Sequence, residues 1–284
     1  MLINFHQLAT AAKYLFIVLI FGLLTLFTQI GGLAYLASRL THAYFRKKFI
    51  NRYAIFFFKS ATFLVIYMFC TFVITPPIAK LFGRVPLPIV KTKNLQPLNI
   101  FTCILNRNYV KAQLRDIAFD AATQMGEKYP GTIINYLDAG FPFINKFPLF
   151  PHLSHNDGKK LDFAFCYIDS KTLKETNMAP SPIGYGVSEM PTPDEVNTAL
   201  LCAKKGYWQY SFLMKIVPQG NKLKFIFDSA RTKKLVEVLA SEKLVAKIFI
   251  EPHLKARLNL TTPKIRFHGC RAVRHDDHIH VQLI

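Results

Sequence analysis

The sequence has no aspartate or glutamate before Asp116, although 14 of its 36 lysines and arginines lie at or before Arg115. The first 115 residues therefore carry +14 and the remainder only +5 of the net +19, so the high pI averages two differently built parts. A nucleic-acid-binding role is disfavoured, because the later part is weakly charged and its aromatic residues form no RNA-binding motif. HExxH, GxSxG, a Walker P-loop and GxGxxG are all missing, which removes the familiar zincin, serine-hydrolase and nucleotide-binding signatures. None of the five cysteines forms a CxxC pair, so neither a zinc knuckle nor a thioredoxin-like centre is expected. Only Cys270, near His268, has a histidine close by that would activate a thiol.

What is present is mostly apolar: 51% hydrophobic against 19% charged residues, which excludes a disordered chain or a collagen. Tyr14 to Ala37 is 24 residues without a charge, long enough at ~1.5 Å per residue to cross a ~30 Å hydrocarbon core and too long for a signal-peptide core. Residues 54–79 form a second candidate, with Lys59 near one end where its stem snorkels to the interface. Between them lie Arg39, Arg46, Lys47, Lys48 and Arg52, against Lys13 alone in the N-terminal tail. The positive-inside rule then makes residues 38–53 a cytoplasmic loop and turns both ends of a two-helix transmembrane hairpin outward. The expected organisation is a membrane hairpin over 1–84, a connector over 85–108 and an extracytoplasmic domain over 109–284. Cys103, Cys166, Cys202 and Cys270 would lie outside, where disulfides form, and four cysteines allow three pairings of which the sequence selects none.

In the outer part, Val110, Leu114, Ile117, Ala118, Ala121 and Met125 recur at helical spacing, and Tyr129-Pro130-Gly131 ends that helix. A strand within TIINYLDAG, a strand beginning near Leu161, a helix over 230–241, a strand over 245–251, a short helix opened by Pro252 and a final strand over 278–284 complete an α+β pattern. Residues 169–200 read as an exposed loop.

Chemistry concentrates in two segments. His152-Leu-Ser-His155-Asn-Asp-Gly158-Lys-Lys-Leu-Asp162 runs from a loop into a strand and brings His155 and Asp162 around one point. In Arg274-His275-Asp-Asp-His278-Ile-His280-Val-Gln-Leu, strand alternation puts His278, His280 and Gln282 on one face and Ile279, Val281 and Leu283 in the core. Two histidines and an aspartate are an acceptable zinc set with one position left for water.

The SHxxGxxxD segment, Ser154 to Asp162, with the terminal HDDHIHV, His275 to Val281, resembles the penicillin-insensitive murein endopeptidases. That family belongs with lysostaphin-type peptidases, D-alanyl-D-alanine metallopeptidases and hedgehog signalling domains. VAKIFIEPHLKARL is similar to the family's strand and helix before the final motif, and the resemblance spans residues 132–284. It implies a hedgehog-like α+β zinc domain with a central antiparallel sheet. One zinc ion would be held by His155, Asp162 and His280, with His278 as the base, His275 as a second catalytic residue, and His152 and Ser154 as further site residues. It also implies a zinc metallopeptidase acting on peptidoglycan peptides at the bacterial inner membrane, the domain facing the periplasm, with the lipid bilayer as its other partner. The alternative is a non-catalytic, zinc-stabilised wall-binding or signalling domain on the same anchor. The chain departs from the family pattern at Arg274, where glycine is usual, at Gln282, where arginine is usual, and at Lys160, where aspartate is usual.

Overall fold

The structure is a computed structural model and describes residues 5–284 apart from residue 151. The N-terminal part is helical throughout: α1 (Phe5–Thr28), α2 (Gly31–Arg39), α3 (His42–Lys48), α4 (Arg52–Phe69) and α5 (Thr75–Leu81), the last two joined by a π-helical turn at Cys70–Ile74. Two helical stretches, Gln7–Thr28 and Arg52–Leu81, are long and apolar enough to cross a membrane. The apolar run expected as one span over 14–37 is broken at Gln29, whose φ of 64° lies in the left-handed region. There the chain turns back and α2 packs beside α1 and α4.

The break is also where the helices meet the rest of the protein. Gln29 Oε1 accepts a hydrogen bond from Phe143 N at 3.0 Å, and Asn106 Nδ2 donates to Thr28 O and to Tyr67 Oη, both at 3.4 Å. Tyr67 Oη in turn donates to Ile104 O at 2.5 Å. Buried Thr71 and Thr75 complete a polar seam.

The remaining strands are β1 (Val85–Pro86), β2 (Leu95–Pro97), β3 (Tyr109–Val110), β4 (Ile134–Tyr136), β5 (Lys160–Ala164), β6 (Tyr167–Asp169), β7 (Glu175–Thr176), β8 (Phe225–Phe227), β9 (Val245–Phe249), β10 (Ile265–Arg266) and β11 (His278–Leu283). Six of them form the main sheet in the order β10-β9-β11-β5-β4-β2. The sheet is mixed, not purely antiparallel: its centre is antiparallel, but β10 runs parallel to β9 and β2 parallel to β4. The helices of this part are α6 (Phe101–Ile104), α7 (Ala112–Lys128), α8 (Thr198–Lys204), α9 (Phe212–Ile216), α10 (Ser229–Ser241) and α11 (Pro252–Arg257).

One core explains the layering. Leu161, Phe163, Ile248, Ile279 and Val281 from the sheet share a cluster with Leu114, Ile117, Ala121 and Met125 of α7 and Leu235, Val236 and Leu239 of α10. Each of the larger of these side chains, fully buried, stabilises the fold by about 1.5–3 kcal/mol. The alternation that sends Ile279 and Val281 to the helices leaves His278 and His280 on the other face.

Residues 85–108, expected as a connector, supply β1, the edge strand β2 and the buried side chains of Leu87, Leu95 and Cys103. Arg84, just before them, is buried and donates to Phe141 O at 2.9 Å and to Asn145 Oδ1 at 2.5 Å. Its guanidinium fills the space beside Gly158, where φ is +72° and a Cβ would come within 2.6 Å of Arg84 Nε. The loop carrying His152 and His155 is thus pinned by a residue that follows α5. Residues 169–200, expected to be exposed, include the buried stretch Tyr185–Ser188, which covers part of the site. One cysteine pair is joined, Cys202–Cys270, while Cys70, Cys103 and Cys166 are free.

Candidate metal centre

β5 and β11 are paired in a register that sets Asp162 directly opposite His280. Both side chains lie on the face away from α7 and α10, with their hydrophobic neighbours Leu161, Phe163, Ile279 and Val281 holding the opposite face in the core. His280 Nδ1 is 2.8 Å from Asp162 Oδ1. The loop before β5 folds over the strand and brings His155 Nε2 to 3.2 Å from the same carboxylate oxygen and 3.1 Å from His280 Nδ1. His155 Nδ1 lies 2.7 Å from Ala139 O. A carbonyl only accepts, so Nδ1 carries the hydrogen and Nε2 offers its lone pair to the common point.

These three atoms fit a metal ion. A tetrahedral zinc with bonds of about 2.0–2.2 Å holds its ligand atoms roughly 3.4 Å apart, close to the separations found here. Asp162 Oδ1 is buried with no hydrogen-bond partner, as expected of an atom arranged for a cation. His155, Asp162 and His280 could hold a metal ion, and so could His275, His278 and His280, a second group sharing one member with the first. Two imidazoles and a carboxylate are ligands zinc accepts readily.

The surrounding groups orient this set. Tyr185 Oη donates to Asp162 Oδ2 at 2.8 Å and accepts from Asp138 N at 3.0 Å. His152, for which the sequence indicates no firm task, has Nδ1 3.0 Å from Asp138 Oδ2, and Arg107 pairs with that same oxygen at 2.6 Å. His278 Nδ1 is 2.5 Å from Asp277 Oδ1, and Asp277 Oδ2 accepts from Gly186 N at 2.5 Å. The Nδ1 of His278 is therefore the donor, and its Nε2 stands 3.7 Å from Asp162 Oδ2 without a hydrogen-bond partner. His275 is buried at 4.9 Å, ring to ring, from His278. Ser154 is half-buried at the mouth of the cleft. All seven residues expected from the sequence are thus gathered at one place.

Burial and charge set the protonation states. Burial works against the Asp162 carboxylate, but His155, His278 and His280 around it hold its pKa well below the usual range. Burial likewise opposes the charge on Asp138, and Arg107 holds its pKa down. His280 is driven to about 3 by burial, despite Asp162. For His278, burial is outweighed by Asp162 and Asp277, and its pKa stands at about 9.

Asp138, Tyr185, Asp277, Arg107 and Glu251 escape the sequence reading. Asp277 adjoins a site histidine and Asp138 ends an apolar strand, both weak signals; Tyr185 sits in a loop with no signal. Glu251 is buried, bonded to Tyr210 Oη, and accepts from His275 N at 3.2 Å, tying the terminal motif to the helical turn at Trp208–Ser211. That turn and α9 help line a cleft of about 360 Å³ over the histidines, through Trp208, Phe212 and Leu213, together with residues 271–273.

Compared with known proteins, the chain matches no family model and shows no significant similarity to a curated relative.

Two outcomes are expected. Replacing His280 with alanine should abolish stoichiometric metal binding, because it belongs to both possible ligand groups; metal analysis of the purified variant that still found one ion per chain would refute the assignment. Burial, reinforced by Asp276, raises Glu251 to about 7. Since an unfolded glutamate titrates at about 4.3, the folded protein holds one extra proton between these values, so stability should fall as pH rises through that window. Chemical denaturation of Glu251→Gln should lack this slope.

Proposed function

We propose that the chain is a bacterial, membrane-anchored zinc metallopeptidase that hydrolyses peptidoglycan peptides or cross-links outside the cytoplasmic membrane. The observation that carries this reading is the convergence of His155 Nε2, Asp162 Oδ1 and His280 Nδ1 within 3.2 Å of one another, beside a fourth imidazole with a free nitrogen and beneath an open cleft. The resemblance of Ser154–Asp162 and His275–Val281 to the penicillin-insensitive murein endopeptidases supports murein as the substrate.

His155, Asp162 and His280 would hold a zinc ion, which would supply Lewis-acid polarisation of a scissile carbonyl and lower the pKa of water towards ~7. The protein's own groups do the rest. Asp277 fixes the His278 ring through Nδ1–H, which leaves Nε2 to take a proton from the attacking water and return it to the leaving amine. With a cation bound at Asp162, the carboxylate field on His278 would be offset and its Nε2 would be nearer the neutral form a base requires. Arg107, Asp138 and His152 keep a charged network behind the ligands, and Tyr185 holds the second oxygen of Asp162. Trp208 and Phe212 offer apolar walls to a peptide chain.

A second reading has one observation in its favour: His275, His278 and His280 also cluster closely enough to hold an ion, as a closed, non-catalytic zinc site on a wall-binding or signalling domain would. Replacement of His278 with alanine separates the two. On the peptidase reading the variant keeps its zinc and its fold but loses about 10²- to 10⁴-fold in murein hydrolysis. Loss of zinc from that variant, with no wild-type cleavage of murein, would favour the closed site.

For the membrane arrangement, we infer that the globular part is extracytoplasmic and that the N-terminal end of α1 is cytoplasmic, in place of a hairpin with both ends outside. What supports this is that Thr28 and Gln29, at the far end of α1, bond to Asn106 and Phe143, as Tyr67 of α4 bonds to Ile104. A helix of 24 residues extends about 36 Å, so Phe5 lies across a bilayer from these contacts. Arg52 is about 22 Å before Tyr67 along α4, which keeps the basic loop on the cytoplasmic side with Lys13. A reporter placed ahead of Met1 should be active in the cytoplasm and one after Ile284 outside it; an N-terminal reporter active only outside would contradict this arrangement.

A further inference from the structure

The cleft above the histidines has one fixed charge on its rim. Among the residues lining it, Arg271 is the only lysine or arginine, and no aspartate or glutamate lines it. Its near neighbour Arg274 is buried against Asp276, whereas Arg271 is exposed to the cleft. The rim carrying it is tethered: Cys270, the adjacent residue, is bonded to Cys202 on α8, 68 residues earlier in the chain. Behind the tether, Ala272 N donates to Gly269 O at 3.2 Å, closing a turn, and Gly269 takes a φ of +96° that favours glycine. Trp208, with 67% of its surface exposed, and Phe212 line the same cleft. A guanidinium is a planar fork of donors whose geometry matches a carboxylate, and a backbone held by a disulfide loses less freedom when that fork is engaged.

We propose that Arg271 anchors a carboxylate of the bound peptide, so that the cleft selects peptides bearing a free carboxylate over neutral ones. The proposal rests on the reading of the cleft as a peptide site and narrows its substrate class to acidic peptides, the carboxylate pairing with the rim while the peptide chain passes over the histidines. Neutralisation of that carboxylate, for example by amidation, removes the substrate from the cleft.

The chain has a single tryptophan, and it is Trp208, so its fluorescence reports on ligands entering the cleft. The full-length, zinc-loaded protein in detergent is mixed with a murein stem tetrapeptide, either as the free acid or with every carboxyl amidated, and fluorescence is read by stopped flow before turnover. The free acid should bind about 10- to 100-fold more tightly than the amide. In Arg271→Gln that preference should vanish, and Arg271→Lys, which keeps the charge but not the fork, should restore part of it. Equal binding of the two peptides by the wild type, or an unchanged preference in Arg271→Gln, overturns the proposal. Thermal unfolding of both variants at the wild-type temperature shows that the rim substitution has not disturbed the fold. Cleavage of intact murein by the same preparation tests the underlying reading separately. Cleavage without a carboxylate preference overturns the Arg271 assignment alone. An Arg271-dependent preference without cleavage supports the anchor and overturns the peptidase.

Discussion

The structure depends on one cross-strand pair, Asp162 of β5 opposite His280 of β11. A carboxylate with no exposed surface is expensive to bury, and it is tolerated here because three imidazoles and the Tyr185 hydroxyl surround it. Pairing register follows from that need. A slip of one residue would turn Ile279 and Val281 into the polar pocket and press His278 and His280 against α7 and α10. The apolar face of the sheet and the polar face therefore fix each other, and the core is as much a condition of the histidine cluster as the loop that delivers His155.

Legibility in the sequence followed the range of the interactions involved. The alternation of β11 and the helical spacing of Leu114, Ile117, Ala118, Ala121 and Met125 are local, and both elements lie where the pattern indicates them. The grouping of His152, Ser154, His155 and Asp162 with His275, His278 and His280 was legible for the same reason: each segment is short and continuous, and the strand period alone orients the second. What escaped depends on contacts between distant segments. Asp138 and Tyr185 matter because Asp138 N meets the Tyr185 hydroxyl, a contact across 47 residues. Residues 85–108 carry prolines and basic residues that resemble a linker, yet Leu95 has no exposed surface because β2 lies beside β4. Gln29 stands within an uncharged run, and only its bonds to Phe143 and Ile144 explain why the helix stops there.

Lys160, Arg274 and Gln282 each have a structural task of their own. Lys160 pairs with Asp157 at 2.6 Å, so a lysine here braces the turn before β5. Arg274 is locked by Asp276 and reaches Ser211 Oγ at 3.3 Å, joining the terminal motif to the cleft wall. Gln282 lies on the same strand face as His280 but two residues further along, opposite Lys160 and Lys247, where it extends the polar surface away from the ligands. All three belong to the framework around the histidines and not to the three converging donor atoms.

Arg84 gives the junction between the N-terminal helices and the sheet-containing part a strict boundary. It follows α5 directly, yet its side chain occupies the space beside Gly158 and bonds to the loop that carries His152 and His155. A fragment cut free of the N-terminal helices by proteolysis keeps this packing only if it retains Arg84. A cut even a few residues later would release a fragment with an empty socket beside Gly158, in the loop that carries His152 and His155.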